Sequence, residues 1–156
     1  MARSSYIIAA LAFLVLLVQT VAAQVSSGVY RIVSVTEGTS VRPQAPGAPF
    51  YVPAGGQPVP PGSIPDIFDV LRLANGDYLF MAKTYPLYAR STPTIVTLNQ
   101  QGSNYRLEAV DGGAFLIKSK DGNLAWTVQI GNLKSIITLQ APSAGSTLQH
   151  FRFVHI

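Results

Sequence analysis

From Gly28 onwards the chain reads as short runs in which apolar and polar residues alternate, broken every few positions by Gly, Pro, Asn and Asp. A two-residue period places side chains on opposite faces of an extended chain, and runs rich in Val, Ile, Tyr, Phe and Thr favour half-buried strands. The 3.6-residue period of an amphipathic helix is missing from this region. The pattern predicts twelve strands in three groups of four: 29–35, 39–42, 49–52 and 67–73; 77–83, 87–89, 94–98 and 105–110; 114–119, 125–130, 135–140 and 151–156. The connections carry hairpin chemistry, as in Ala74-Asn75-Gly76, Asp111-Gly112-Gly113 and Lys120-Asp121-Gly122-Asn123, where Gly and Asn tolerate positive φ.

The grouping comes from two interleaved echoes. Gly28-Val29-Tyr30, Gly76-Asp77-Tyr78 and Gly113-Ala114-Phe115 each open an apolar run. Phe68-Asp69-Val70, Tyr105-Arg106-Leu107 and Phe151-Arg152-Phe153 each read aromatic, charged, apolar. Self-similarity at roughly 40 residues marks a repeated structural unit. Alternation then assigns faces: Tyr30, Ile32, Tyr78, Phe80, Phe115 and Ile117 share the inner side, with Arg31 and Lys118 outside. In the closing strands Phe68/Val70, Tyr105/Leu107 and Phe151/Phe153 face inwards, and Asp69, Arg106 and Arg152 outwards. Trp126, the sole tryptophan, is expected in the core or capping the barrel.

Residues 1–23 read as a secretory signal peptide. Arg3 gives the positive start, Tyr6 to Val18 is apolar, and Val21-Ala22-Ala23 offers small residues to a signal peptidase. The apolar run is too short for the roughly 20 residues that span a bilayer. Residues 24–156 are then one secreted domain, with no membrane association once the leader is gone. It contains no cysteine, so neither disulfides nor thiol chemistry is open to it, and its stability must come from a packed core. Removing Arg3 takes the net charge from +4 to +3. The basic residues are scattered, which argues against a nucleic-acid footprint. The 53–65 segment is rich in Pro and Gly and lengthens the first repeat, as 140–149 does the third.

Catalytic constellations do not assemble. His150 and His155, both expected in the last strand, differ by an odd number of positions and so face opposite sides, which rules out a shared metal site. No serine sits in a Gly-x-Ser-x-Gly elbow, no acidic pair suits glycoside cleavage, and no phosphate-cradling Gly-rich loop precedes a helix. The reading is therefore non-enzymatic and cofactor-free. Two binding readings remain. Lys83, Arg90 and Lys134, on expected loops, suit the cation-accepting pocket of a trypsin-like protease, and a rigid loop loses little entropy on docking; for any one of them a solvated surface charge is the simpler account. Alternatively, Tyr51, Tyr85 or Tyr88 could stack on a sugar, with Asp121 and Asn123, or Asn75 and Asp77, bonding its hydroxyls. Turn chemistry accounts for those Asp and Asn residues too.

The threefold pattern, with its Gly-x-aromatic starts and the Gln149-His150-Phe151-Arg152-Phe153 ending, resembles a β-trefoil. More narrowly, Ser27-Gly28-Val29-Tyr30-Arg31-Ile32, Trp126-Thr127-Val128 and the Gln-x-Phe-x-Phe ending resemble fungal β-trefoil serine protease inhibitors, related in architecture to mycocypin-type inhibitors and ricin-B-type lectins. The resemblance implies a monomeric protease inhibitor acting through variable loops, with a lectin-like, glycan-binding module as the alternative. Many such inhibitors lack a leader, unlike this chain. Ricin-type lectins carry Gln-x-Trp, whereas the matching positions here are Asp66-Ile67-Phe68, Ser103-Asn104-Tyr105 and Gln149-His150-Phe151; this ranks the lectin reading second.

Overall fold

The computed structural model describes residues 24–55, 65–83 and 85–156. The expected leader and most of the Pro/Gly-rich segment lie outside these residues. Eleven strands follow in order: β1 (Gly28–Ser34), β2 (Tyr51–Pro53), β3 (Phe68–Arg72), β4 (Tyr78–Ala82), β5 (Tyr88–Ser91), β6 (Val96–Asn99), β7 (Tyr105–Val110), β8 (Ala114–Ser119), β9 (Ala125–Gln129), β10 (Lys134–Gln140) and β11 (Phe151–His155). The twelfth expected strand, 39–42, is reduced to isolated bridges, Ser40 to Val33 and Arg42 to Tyr51. Pro43 follows at once and has no N–H with which to extend a ladder.

The pairing closes on itself. β1 pairs with β3, β3 with β4, β4 with β7, β7 with β8, β8 with β11, and β11 again with β1, all antiparallel. Six strands, two from each sequence repeat, thus make a barrel without exposed edges. The remaining five strands form the β5–β6 and β9–β10 hairpins and, with β2 against the Arg42 remnant, a third arm, and the three lock together across one end. β2 pairs with β10, Pro49 bridges Thr97, and Ile95 bridges Thr138. Backbone bonds tie the same triangle, with Phe50 N donating to Val96 O at 2.8 Å, Ile137 N to Phe50 O at 2.8 Å and Leu139 N to Thr94 O at 2.9 Å.

The inner faces are those the alternation predicts. Tyr30, Ile32, Tyr78, Phe80, Phe115 and Ile117 are buried, as are Phe68, Val70, Tyr105 and Phe151. Leu107 and Phe153 are only partly buried and pack against the cluster. Trp126 is fully buried and meets rings from every repeat edge-on: Phe50 at 5.8 Å, Phe80 at 5.7 Å, Tyr105 at 5.4 Å and Phe151 at 6.1 Å. Edge-to-face contacts of this kind add to what burial alone supplies.

The tripeptides at the ends of the repeats have a common job. Their aromatic residue enters the core, and the residue two before it holds the second strand, or its remnant, of the same repeat. Asp66 pairs with Arg42 Nη2 at 3.6 Å, Ser103 Oγ accepts from Ser91 N at 3.0 Å, and Gln149 Nε2 donates to Thr127 Oγ1 at 2.9 Å. Departure from Gln-x-Trp therefore changes core packing and a clasp. It is no measure of ligand binding.

Candidate functional site

Each barrel repeat ends at a junction where a closing strand meets the strand that follows it around the ring. The three junctions superpose by register. Phe68 faces Ala82, Tyr105 faces Ser119 and Phe151 faces Ser34. One residue outward, Lys83 N donates to Ile67 O at 2.9 Å, and Val35 N donates to His150 O at 3.0 Å. The equivalent pair at the β7–β8 junction is Lys120 and Asn104, and among the described residues no hydrogen bond joins them. There the ladder stops one rung early.

The outward side chains of the three junctions differ as well. The residue after each inward aromatic is Asp69, Arg106 or Arg152, and the opposing turn residue is Lys83, Lys120 or Val35. Asp69 and Lys83 attract and form an ion pair at 3.2 Å. Arg106 and Lys120 carry the same charge and cannot pair. Arg106 turns its Nε to the buried Asp77, 3.5 Å away, on the Asn75-Gly76-Asp77 turn, whose conformation is set by Asn75 Oδ1 accepting from Asp77 N at 3.1 Å.

A cavity of about 500 Å³ opens at this unzipped junction, lined by Ser91, Ser103, Asn104, Arg106, Ser119, Lys120 and Asp121. That volume suits a small ligand, and every lining residue is polar. Its wall is firm. Beneath it the Tyr105 hydroxyl lies 3.1 Å from Ser91 Oγ, and burial holds the Tyr105 phenol proton well above its ordinary range, with the Ser91 hydrogen bond opposing that rise. On the β8–β9 turn, Asp121 accepts from the Ser119 hydroxyl, from Asn123 N at 3.1 Å and from Asn123 Nδ2 at 3.0 Å. The Ser119 bond, followed by the Asn123 amide, keeps the Asp121 carboxyl below the ordinary carboxylate value. Gly122 supplies the positive φ of 79° that the turn needs. Asp121 is thereby occupied in holding its own turn, while the Lys120 ammonium has no hydrogen bond or ion pair among the described residues.

The residues singled out in the sequence fall in separate places. Lys83 lies just past β4 and is paired with Asp69. Arg90 is inside β5 and not on a loop; its Nη1 reaches Asn99 Oδ1 at 3.4 Å. Lys134 is the first residue of β10, 3.3 Å from Gln44 Oε1 and 5.5 Å above the Tyr51 ring. The structure brings no two of them together. Of the candidate sugar platforms, Tyr51 is buried, Tyr88 is partly buried in β5 and Tyr85 is exposed in the β4–β5 turn; none lines the cavity. Asp121 does line it. His150 belongs to the turn before β11, where its Nε2 sits 2.8 Å from Ala144 O, and His155 packs edge-on against Tyr30. A smaller cavity, about 360 Å³, lies between Pro46, Gly47 and the β5–β6 hairpin. Ser91, Ser103, Asn104 and Ser119 were not singled out in the sequence. The one available signal was the like charge of Arg106 and Lys120 at positions where the first repeat has opposite charges.

No known protein family matches the sequence, and no curated protein matches it either. Solved structures do. The Rhizoctonia solani agglutinin superposes with a TM-score of 0.70 at 13% identity, over 86% of this chain and 99% of that one. A Macrolepiota procera ricin B-like lectin, solved with lactose, gives 0.68 at 15% identity over 86% and 100%. A designed threefold-symmetric protein, ThreeFoil, gives 0.65 at 15% over 83% and 99%. The fold is a β-trefoil. In this trefoil the β7–β8 junction is the one whose ladder stops short.

Proposed function

We propose that this protein is a secreted, non-enzymatic carbohydrate-binding trefoil, with the β7–β8 junction as its binding site. The observation that carries the reading is the open cavity itself, about 500 Å³, with hydroxyl, amide and charged groups from three elements along its wall. Sugars need fixed hydrogen bonds to their hydroxyls; the Asn104 amide has no internal partner among the described residues, while Ser91, Ser103 and Ser119 frame it through internal hydrogen bonds. The lactose complex of the Macrolepiota procera neighbour supports the class of ligand, not the site. Leader cleavage after residue 23 is part of the reading and is checked by N-terminal sequencing of the secreted protein. Glycan-array binding by residues 24–156, lost on Asn104→Ala with unchanged thermal unfolding, is the expected result. Binding that survives Asn104→Ala and Lys120→Ala alike would move the site elsewhere.

Inhibition of a trypsin-like protease is the second reading. The feature in its favour is the half-exposed side chain of Lys83 beside a turn. A trypsin panel tests it: inhibition at micromolar concentration that disappears with Lys83→Ala, and not with Arg90→Ala or Lys134→Ala, would establish it in place of the first.

A further inference from the structure

Two cations, Arg106 and Lys120, line the open junction. The carboxylates near them are both committed: Asp77 faces Arg106 Nε, and Asp121 sits in its own turn at the cavity wall. The Asp121 carboxylate already accepts hydrogen bonds from Ser119 and Asn123 on both oxygens. Arg106 uses only Nε towards Asp77, at 3.5 Å, so its two terminal nitrogens are unengaged among the described residues. Lys120 is likewise unengaged. A guanidinium that meets one carboxylate through Nε keeps its terminal nitrogens as a fork for a second, incoming carboxylate. At the first junction Asp69 pairs with Lys83, and the backbone rung between Lys83 and Ile67 is present.

We infer that the β7–β8 junction selects acidic saccharides, with the carboxylate of a uronate residue seated between the Arg106 terminal nitrogens and the Lys120 ammonium and a sugar hydroxyl on the Asn104 amide. The inference rests on the carbohydrate-binding reading and names the class of sugar. Neutral sugars lack the carboxylate that would engage these unpartnered donors.

The test is calorimetric titration of the secreted protein with an oligogalacturonate and with its methyl ester, which keeps the hydroxyls and removes the charge. The acid is expected to bind, the ester to bind roughly tenfold or more weakly, and raised salt to weaken the acid alone. Lys120→Glu, an exposed turn position, places an anion opposite Arg106 and is expected to abolish binding of the acid. Lys83→Glu at the first junction is expected to leave it unchanged. Lys120→Ala guards against misfolding of the first variant and is expected to weaken the acid several-fold with an unaltered melting temperature. Equal binding of acid and ester, or binding of neutral glycans alone, overturns the charge selection and leaves the carbohydrate reading standing. Binding of neither, together with a silent neutral glycan array, overturns both.

Discussion

The β3–β4 and β7–β8 junctions share a register and an inward aromatic at the same place, Phe68 in one and Tyr105 in the other, yet one is shut and the other is a cavity. At the first, Asp69 and Lys83 form an ion pair and the ladder runs one rung further. At the second, Arg106 and Lys120 share a sign, Arg106 is drawn to Asp77 and the rung is missing. The β11–β1 junction, with Arg152 against the uncharged Val35, keeps its rung without an ion pair, so what marks the open junction is two like charges, Arg106 and Lys120, at the paired positions. The barrel tolerates them because the core beneath is shared: Trp126 and the rings around it hold both junctions from below.

That common support is where the largest effect should lie. Trp126→Ala removes a fully buried side chain and is expected to destabilise both junctions by about 3–5 kcal/mol, measured by urea unfolding. Tyr105→Phe separates them. It deletes the hydroxyl that meets Ser91 beneath the cavity, while Phe68 at the first junction has no hydroxyl to lose, and a cost of about 1 kcal/mol is expected. Asp69→Arg makes the first junction imitate the second. It should cost less than about 1 kcal/mol, as exposed pairs do, but amide exchange at Lys83 should rise towards that of Lys120. An unchanged Lys83 amide would show that charge is not what closes the joint. Lys120→Glu, the reverse imitation, should slow exchange at residue 120 and alter stability by only a few tenths of a kcal/mol.

The smallest expected effect is on pH dependence. The folded-state Asp121 carboxyl titrates below its ordinary value of 3.8, so its contribution to stability is fully present above that value. The contribution is lost as pH falls through the lower, folded-state value. Asp121→Asn should therefore narrow the difference in melting temperature between neutral and strongly acidic solution. The change should be slight, because the turn is exposed, and it should appear at the β8–β9 turn and not at the Lys83 turn.

The barrel could be read from the sequence because its determinants are local and repeated. Phe68, Tyr105 and Phe151 recur at fixed places within each repeat, and alternation fixes their side. The strand at 39–42 could not, since Pro43 limits a ladder whose partner, Tyr51, lies beyond the 43–50 loop. The site was harder still. Its lining comes from the end of β5, the approach to β7 and the β8–β9 turn, segments far apart in sequence, and none of Ser91, Ser103, Asn104 or Ser119 differs in type from an ordinary turn residue. The tyrosines drew attention as platforms because aromatic faces are easy to see in a sequence, yet Tyr51 is spent on packing under Lys134. Lys83 and Lys134 are in fact close to chain turns, but what each touches is set by tertiary pairing that no local window contains.

The lone indole at the centre has a practical consequence. Trp126 is fully buried, and its neighbours are Phe50, Phe80, Tyr105 and Phe151. Its emission should be blue and insensitive to aqueous quenchers while the three repeats are assembled, and should move to the red in a single step when they part. The protein therefore carries a native optical gauge of its own closure, shielded from anything that occupies the surface.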